Sequence, residues 1–281
     1  MGRVNWDSRA ARGAETLLVL LVSLVLAVPL AAITWGQKDT GNLYPEVGDI
    51  LVTWGDQTVG DCTGTLIAPR IVLTAGHCAA KFKRYLASGA ITDIRVSFDV
   101  EPFGAGATLY EVSDLVPHPE FASLQPRSNP YDLGLVILKE QVLRIDPAAL
   151  PSSPGFLEQL LVDGRLGHGT KSAKFTVVGY GASLLFPPPR PQWEDVRQFG
   201  YSEFRALLPA WLRMSQQGRT GDQGTCYDDS GAPAFWEQGG ERTLVAITSW
   251  GDSPCVSSEF SYRVDLPASL AFVNEWIEKY E

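Results

Sequence analysis

The chain has 281 residues, of which 45% are hydrophobic and 20% are charged, and its net charge at neutral pH is −9. Its length and apolar content suffice for one large or two small cores, which argues against an intrinsically disordered chain. The acidic balance contains no block of like charge, and this argues against a nucleic-acid-binding surface, because phosphate recognition needs clustered Lys and Arg.

The first 36 residues have the layout of a secretory signal sequence. Three arginines precede an apolar run from Leu17 to Ile33, and a basic start followed by a short apolar segment is typical of export signals. A cut after Gly36 would leave residues 37–281 as the mature, secreted protein, extracellular or periplasmic and no longer attached to a membrane. The alternative is an uncleaved signal anchor, although this run is short for a membrane-spanning helix and Pro29 interrupts it.

Export changes the expected chemistry of the four cysteines. Outside the cytosol an even number of separated cysteines favours two disulfides, and three pairings are open. Cys62 with Cys78 and Cys226 with Cys255 close the shortest loops. A zinc site is disfavoured because the chain has no His-Glu-x-x-His motif and only three histidines. We expect neither a metal ion nor a cofactor.

Short β-rich segments separated by Gly, Pro and Asp run through most of the chain. A Pro/Ser-rich stretch at 147–154 is a plausible linker between an N-terminal half, about residues 37–146, and a C-terminal half, about residues 170–281. From Pro267 the apolar residues change to helical spacing. Many short strands with one terminal helix predict a closed all-β architecture.

The segment from Gly224 to Pro233 presents Ser230 on a tight turn flanked by Gly and Pro. A serine is a weak nucleophile unless a base takes its proton and a third group orients that base. His77, directly after an apolar strand, is the candidate base, and Asp132, directly before one, is the candidate orienter. The order His, Asp, Ser differs from the orders found in α/β-hydrolases and in subtilisin-like enzymes.

Four motifs in this order resemble those of the trypsin/chymotrypsin family of serine proteases. They are Thr74-Ala75-Gly76-His77-Cys78, Asp132-Leu133-Gly134-Leu135, Asp229-Ser230-Gly231-Ala232-Pro233 and Ser249-Trp250-Gly251. The resemblance covers nearly all of residues 44–280. It implies two packed six-stranded antiparallel β-barrels, a C-terminal α-helix and an active site in the cleft between the barrels.

The resemblance also assigns roles to residues around the triad of His77, Asp132 and Ser230. The backbone amides of Asp228 and Ser230 would form the oxyanion hole. The substrate would be a protein or peptide, bound by a monomer. The residues expected to form the substrate-binding pocket are Gly224, Thr225, Tyr227, Ser249, Trp250 and Gly251.

The chain departs from the family pattern at several positions. Asp228 stands where the family has glycine, and its carboxylate would oppose the developing oxyanion. No Ile-Val-Gly-Gly activation segment is recognised between residues 33 and 50, so Asp229 needs a partner other than a new N-terminus. Gly224 replaces the acidic residue that selects Lys or Arg at the pocket base. Glu259 is a candidate replacement, but we expect it to lie on the surface.

Two hypotheses from different classes follow. The intact triad favours a secreted serine endopeptidase that acts through an acyl-enzyme. The carboxylate of Asp228 favours a weak or inactive protease homologue that acts as a binding protein.

Overall fold

The computed structural model describes residues 33–121, 128–167, 173–185 and 190–280. Most of the predicted signal sequence lies outside these residues. The strands of the first half are β1 (Gln37–Lys38), β2 (Val47–Trp54), β3 (Gln57–Ala68), β4 (Ile71–Thr74), β5 (Asp93–Ser97), β6 (Tyr110–Pro117) and β7 (Gly134–Leu138). Those of the second half are β8 (Lys174–Gly179), β9 (Ser183–Leu185), β10 (Arg190–Gln192), β11 (Gln198–Leu207), β12 (Trp211–Ser215), β13 (Pro233–Gln238), β14 (Glu241–Gly251) and β15 (Ser258–Arg263).

The first barrel closes through antiparallel pairs in the order β2-β3-β4-β7-β6-β5, with β5 returning to β2. Strands β4 and β7 lie side by side, with Thr74 opposite Gly134. Every residue of both strands is buried, which explains their continuous apolar sequence. The ends of these two strands therefore bring the segments that follow Thr74 and precede Gly134 together.

The second barrel closes in the order β8-β11-β12-β15-β14-β13, with β13 pairing back to β8. Strand β1 adds to β11 of this barrel, and β9 and β10 form a separate hairpin. The predicted architecture of two packed six-stranded antiparallel barrels with a C-terminal helix is confirmed.

The predicted terminal helix is present, but two further helices were not predicted, since the described residues contain three α-helices. They are α1 (Gly76–Ser88), α2 (Phe156–Val162) and α3 (Pro267–Tyr280), and a short 3₁₀ turn lies at Gly218–Thr220. Helix α1 buries Cys78, Ala79 and Phe82 on one face, a helical spacing that the adjoining His77 motif obscured. Gly89 ends it in the left-handed conformation at φ +72°.

Two disulfides are present, Cys62–Cys78 and Cys226–Cys255. The first joins β3 to the first turn of α1, and the second joins the segment before Ser230 to the loop after β14. This is the pairing that closes the two shortest loops, and it places one bridge beside His77 and the other beside Ser230.

A buried arginine joins the two barrels. Arg197, immediately before β11, is fully buried, and its guanidinium pairs with Asp39 at 2.8 Å. The same group donates to the backbone carbonyls of Val47 at 3.1 Å and Phe98 at 2.9 Å, both in the first-barrel half of the chain. It also donates to the hydroxyl of Tyr180 at 3.2 Å. A single second-barrel cation therefore satisfies acceptors from both halves.

Replacing this arginine should weaken the contact between the barrels and destabilise the fold. We expect Arg197→Ala to lower the free energy of unfolding by about 3–5 kcal/mol, because it leaves the Asp39 carboxylate buried without its partner. The matched control is Arg95→Ala, which removes a partly exposed arginine paired with Asp93 and should cost no more than about 1 kcal/mol. Denaturant unfolding followed by tryptophan fluorescence measures both, and equal losses would contradict this role of Arg197.

Candidate active site

Asp132 lies at the start of the segment leading into β7, and its side chain has no solvent exposure. Its carboxylate accepts hydrogen bonds from three groups: the backbone amide of His77 at 2.8 Å, the Nδ1 of the same residue at 3.0 Å, and the hydroxyl of Ser249. Ser249 belongs to β14 of the second barrel, so Asp132 connects the two barrels at the site. A buried carboxylate with this many donors is held in one orientation.

His77 is the second residue of α1, directly after the end of β4. Because Asp132 accepts at Nδ1, the proton of a neutral imidazole lies on that nitrogen and Nε2 carries the lone pair. The side chain is 20% exposed, so the ring lies at the edge of the cleft between buried and solvent-accessible groups. A neutral imidazole with its proton on Nδ1 is the tautomer that a general base needs, because Nε2 can then accept a proton.

Backbone hydrogen bonds fix the turn that carries Ser230 against strands of both barrels. The carbonyl of Ser230 accepts from the amide of Thr63 at 2.9 Å, and the amide of Gly231 donates to Thr248 at 2.8 Å. Gly231 has φ +86°, and an added Cβ would lie 2.2 Å from Thr74 Oγ1, so only glycine fits here. Within the described residues no hydrogen bond joins Ser230 Oγ to His77, an arrangement common before substrate binds.

Two backbone amides beside Ser230 are free. Among the described residues, neither the amide of Asp228 nor that of Ser230 donates an intramolecular hydrogen bond, whereas Asp229 donates to Cys226 at 3.3 Å and Gly231 to Thr248. Asp228 has φ +67°, a left-handed conformation in which aspartate is one of the more tolerated non-glycine residues. The Cβ at this position therefore does not prevent the turn from adopting positive φ.

The carboxylate of Asp228 has its own partner. It accepts a hydrogen bond from the indole Nε1 of Trp193 at 2.7 Å. Burial raises the pKa of Asp228, while the hydrogen bond from Trp193 acts in the opposite direction. The side chain is thus tied to the loop that follows β10.

Asp229 is fully buried and accepts two backbone hydrogen bonds, from Gly181 and Cys226, each at 2.9 Å. In the described part of the chain no cation pairs with it. Burial holds the pKa of this carboxyl well above its ordinary value, and the two amides lower it only in part. The side chain is therefore satisfied as a hydrogen-bond acceptor but lacks a counter-charge.

The residues predicted to form a substrate pocket lie around one cavity of about 290 Å³ next to Ser230. Its lining includes Thr225, Tyr227, Ser249, Trp250 and Gly251. The indole of Trp250 stacks on Phe260 with ring centroids 3.9 Å apart, which holds this wall rigid. Gly224, the remaining predicted pocket residue, is buried and is not among the residues that line this cavity.

The expectation that Glu259 lies on the surface is wrong, since it is 1% exposed. Its Oε2 accepts from the Thr225 amide at 2.9 Å and from the Gln216 side chain at 3.2 Å. The irregular pairing of β14 with β15 between Thr248 and Trp250 brings Glu259 opposite Gly251, a register shift that the alternation of the sequence does not reveal. Burial raises its pKa.

Gln216 is a site residue that the sequence reasoning missed. It lines the cavity, and an added Cβ on Gly224 would lie 2.3 Å from its Cγ, so this glutamine occupies the space where another residue at 224 would place a side chain. Both Gln216 Oε1 and Glu259 Oε1 are buried without a hydrogen-bond partner in the described residues. The available signal was a polar residue directly after β12, at the position that continues the buried alternation of Leu212 and Met214.

The segment Ile33-Thr34-Trp35-Gly36 is a second feature that was missed. Ile33 has no exposed surface and packs in the core of the second barrel. The amide of Thr34 donates to Gly224 at 2.8 Å, beside the pocket. Although the predicted cut lies after Gly36, residues 33–36 belong to the packed body. Only the ends of this segment match the family's Ile-Val-Gly-Gly activation segment. Ile33 and Gly36 agree with it, whereas Thr34 and Trp35 at the two central positions do not.

Within the same described ranges no helix is long and apolar enough to cross a membrane. No group of three or more His, Cys, Asp or Glu side chains in those ranges is arranged to hold a metal ion.

Comparison with known proteins agrees with this geometry. The family model described as Trypsin matches residues 52–277. The chain is 26% identical over 227 residues to Trypsin 5G1 of Aedes aegypti, covering 78% of this chain and 74% of that protein. It is 28% identical over 207 residues to Snake venom serine protease homolog 1 of Trimeresurus stejnegeri, with 69% and 68% covered.

A third relative is CLIP domain-containing serine protease B15 of Anopheles gambiae. The chain is 25% identical to it over 272 residues, which cover 87% of this chain and 71% of that protein. With the family model spanning both barrels, the chain belongs to the trypsin family of serine proteases.

Proposed function

We propose that this protein is a secreted serine endopeptidase in which Ser230 is the nucleophile, His77 the general base and acid, and Asp132 the residue that orients His77. The observation that carries the proposal is the buried Asp132 carboxylate, which binds both the backbone amide and Nδ1 of His77. That contact leaves Nε2 of His77 free to take a proton from a serine.

The reaction proceeds in two halves. Ser230 Oγ attacks the peptide carbonyl as its proton passes to His77 Nε2, and the oxygen of the tetrahedral intermediate is bound by the amides of Asp228 and Ser230. The C–N bond then breaks, and His77 returns the proton to the leaving amine. Water, activated by the same imidazole, hydrolyses the acyl-enzyme and restores Ser230. Each amide of such an oxyanion hole is worth about 3–4 kcal/mol in the transition state.

Asp228 is compatible with this chemistry. Its Trp193 hydrogen bond ties the carboxylate to a neighbouring loop, and its amide has no other partner in the described residues. The second candidate function is an inactive homologue that binds a partner. The observation favouring it is the same carboxylate beside the oxyanion site, and one relative is itself named a serine protease homolog.

The pocket favours substrates with a basic side chain before the cleaved bond. Gln216 Oε1 and Glu259 Oε1 are two buried acceptors without donors, and leaving such acceptors unpaired costs free energy. Lys and Arg supply several N–H donors for the Gln216 oxygen, which lines the cavity, together with a charge that complements Glu259, buried directly behind Gln216 at 3.2 Å.

Maturation creates the missing partner of Asp229. Signal removal after Ala32 would start the mature chain at Ile33, whose following residue is already paired with Gly224. In this family the new ammonium pairs with the aspartate before the catalytic serine. No later proteolytic activation is then required.

The triad itself can be tested by peptide hydrolysis. We expect Ser230→Ala and His77→Ala each to abolish cleavage of an internally quenched peptide library, and Asp132→Asn to lower kcat on the order of 10⁴-fold, the loss found for the same change in chymotrypsin-type triads. Retention of the wild-type rate in Ser230→Ala would contradict the proposal. Circular dichroism confirms that each variant is folded.

The pocket is tested by Glu259→Gln. We expect kcat/KM for substrates cleaved after Lys or Arg to fall about 10- to 100-fold, the usual value of a hydrogen bond to a charged group, with little change for uncharged side chains. Equal changes for both substrate types would contradict a specificity role.

Glu259→Gln also has a readout that is independent of activity. Because the folded-state pKa of Glu259 is raised, its contribution to stability is present below the unfolded pKa, about 4.3, and is lost as pH rises through the folded value. The variant should therefore gain stability relative to wild type between mildly acid and neutral pH, and an unchanged pH profile would argue against a buried carboxyl.

N-terminal sequencing of the secreted protein should give Ile33. A recombinant form with one Ala before Ile33 should lose activity by about two orders of magnitude, because breaking a buried charge pair costs about 3 kcal/mol or more. Full activity of a chain that starts at residue 37 would contradict this maturation route.

A further inference from the structure

A second cavity, of about 520 Å³, adjoins the substrate pocket along Asp61 and Asp228. Its lining combines exposed apolar side chains with carboxylates, and we call it the acidic groove. The apolar members are Trp54, Val59, Phe103 and Trp193, and the acidic members are Asp61, Asp195 and Asp228.

Three large apolar side chains of the acidic groove are exposed to solvent. Trp193 is 48% exposed, Phe103 43% and Trp54 37%. Their clustering beside a catalytic turn is typical of a binding surface rather than of scattered surface residues. Trp193 is also fixed by its hydrogen bond to Asp228, so its ring is presented in a defined position.

All the charged residues that line the acidic groove are acidic. Among its lining residues there is no Lys or Arg. Asp61 pairs with Lys81 at 2.8 Å, while Asp195 is exposed and has no ion pair or hydrogen bond to another described residue. The carboxylate of Asp228 is bound only to a neutral indole. Asp195 therefore has no cationic partner, and Asp228 has no ion pair, although Lys81 attracts its carboxylate from farther away.

Further acidic side chains lie behind and beyond the groove. Asp49 lies behind its wall, since an added Cβ on Gly60 would be 2.6 Å from Asp49 Oδ2. Burial raises the pKa of Asp49 well above its ordinary value, and the charges of Asp195 and Asp228 raise it further. A neighbouring cavity shares Phe103 and Asp195 with the groove and adds three more acidic residues, which are Asp99, Glu101 and Glu194. Only Glu194 of these has a lysine partner, Lys38 at 2.8 Å.

The position of the groove determines which part of a peptide reaches it. A chain whose carbonyl lies at the amides of Asp228 and Ser230 and whose side chain fills the substrate pocket must continue away from that pocket. Asp228 forms the common wall of the two cavities, and its amide would hold the carbonyl at the cleaved bond, so the residues joined to that carbonyl are the ones that would cross Asp228 into the acidic groove.

We propose that the acidic groove binds the part of the peptide substrate that follows the cleaved bond and selects Lys and Arg there, through the carboxylates of Asp195 and Asp228 and the rings of Trp193 and Phe103. This inference rests on the proposed endopeptidase function. Cations gain from carboxylates and from aromatic faces alike, and their aliphatic stems cover apolar surface. A second copy of this chain, with a net charge of −9, is a poor occupant of an acidic surface.

Binding can be measured without catalysis. The mature Ser230→Ala protein is titrated with a hexapeptide amide in which Lys and Arg alternate with Leu, and with the same peptide carrying Gln at the basic positions. We expect the basic peptide to bind about tenfold more tightly, with a difference that shrinks as salt is raised. Calorimetry and tryptophan fluorescence report the affinity.

Single Asp-to-Asn substitutions test whether this preference comes from the groove. Asp195→Asn in the Ser230→Ala background should lower the affinity for the basic peptide about threefold, the usual effect of losing one partly exposed charge pair. The matched control Asp146→Asn removes an exposed carboxylate outside the groove and should leave the affinity unchanged. The wild-type enzyme can be compared on two substrates that are identical up to the cleaved bond and carry either Lys or Gln after it. We expect a higher kcat/KM for the substrate with Lys.

The outcomes separate the two proposals. Equal affinity for both peptides, or an equal effect of Asp195→Asn and Asp146→Asn, overturns the groove proposal even if the wild type cleaves peptides. Displacement of the basic peptide by an equal concentration of Ca²⁺ would identify a cation site and also overturns it. If the wild type cleaves nothing but the basic peptide still binds Ser230→Ala in an Asp195-dependent manner, the peptide preference stands and the endopeptidase function fails.

Discussion

The buried carboxylate of Asp132 is the contact on which the arrangement of the site depends. It has no exposed surface, and its donors come from α1 of the first barrel and from β14 of the second. A buried charge is tolerated only when it is fully hydrogen-bonded, so the position of His77 and the approach of the two barrels are fixed by the same group. Arg197 links the same two barrels away from the site, since this one buried cation binds carbonyls and a carboxylate from the first half of the chain. The cleft is therefore held by two buried charges of opposite sign.

The turn from Cys226 to Gly231 presents the proposed nucleophile within this framework. One side is tied by the disulfide to Cys255 and by the amide of Cys226 bonded to Asp229. The other side is tied by the carbonyl of Ser230 bonded to Thr63. These contacts leave two amides free beside the serine. The side chain of Asp228 lies between the pocket and the acidic groove, so a residue that departs from the family pattern contributes to the walls of both. Under the proposed binding mode, its carboxylate and that of Asp195 favour cationic side chains on the leaving side of the bond.

Much of the fold was predictable because it depends on local patterns. Buried strands such as β4 and β7 are continuous apolar runs, and the α3 period is visible from Leu270 to Tyr280. Helix α1 was missed because its apolar face is short and overlaps the histidine motif. Glu259 was misplaced because a bulge between Thr248 and Trp250 changes the strand register, and bulges have no reliable sequence signal. Gln216 and the packing of Ile33 depend on contacts between residues far apart in the chain. The acidic groove likewise collects residues from β2, β3 and three distant loops, which no sequence periodicity brings together.

The central claim is that the natural sequence, with Asp228 in place, holds a reactive serine. The most direct measurement is labelling of the mature wild-type protein, with both disulfides formed, by a fluorophosphonate, followed by intact mass and peptide mapping. We expect one adduct per chain, located on Ser230, with labelling abolished in His77→Ala. An unlabelled wild-type protein beside an Asp228→Gly variant that labels at Ser230 would contradict the claim and identify the natural protein as an inactive homologue.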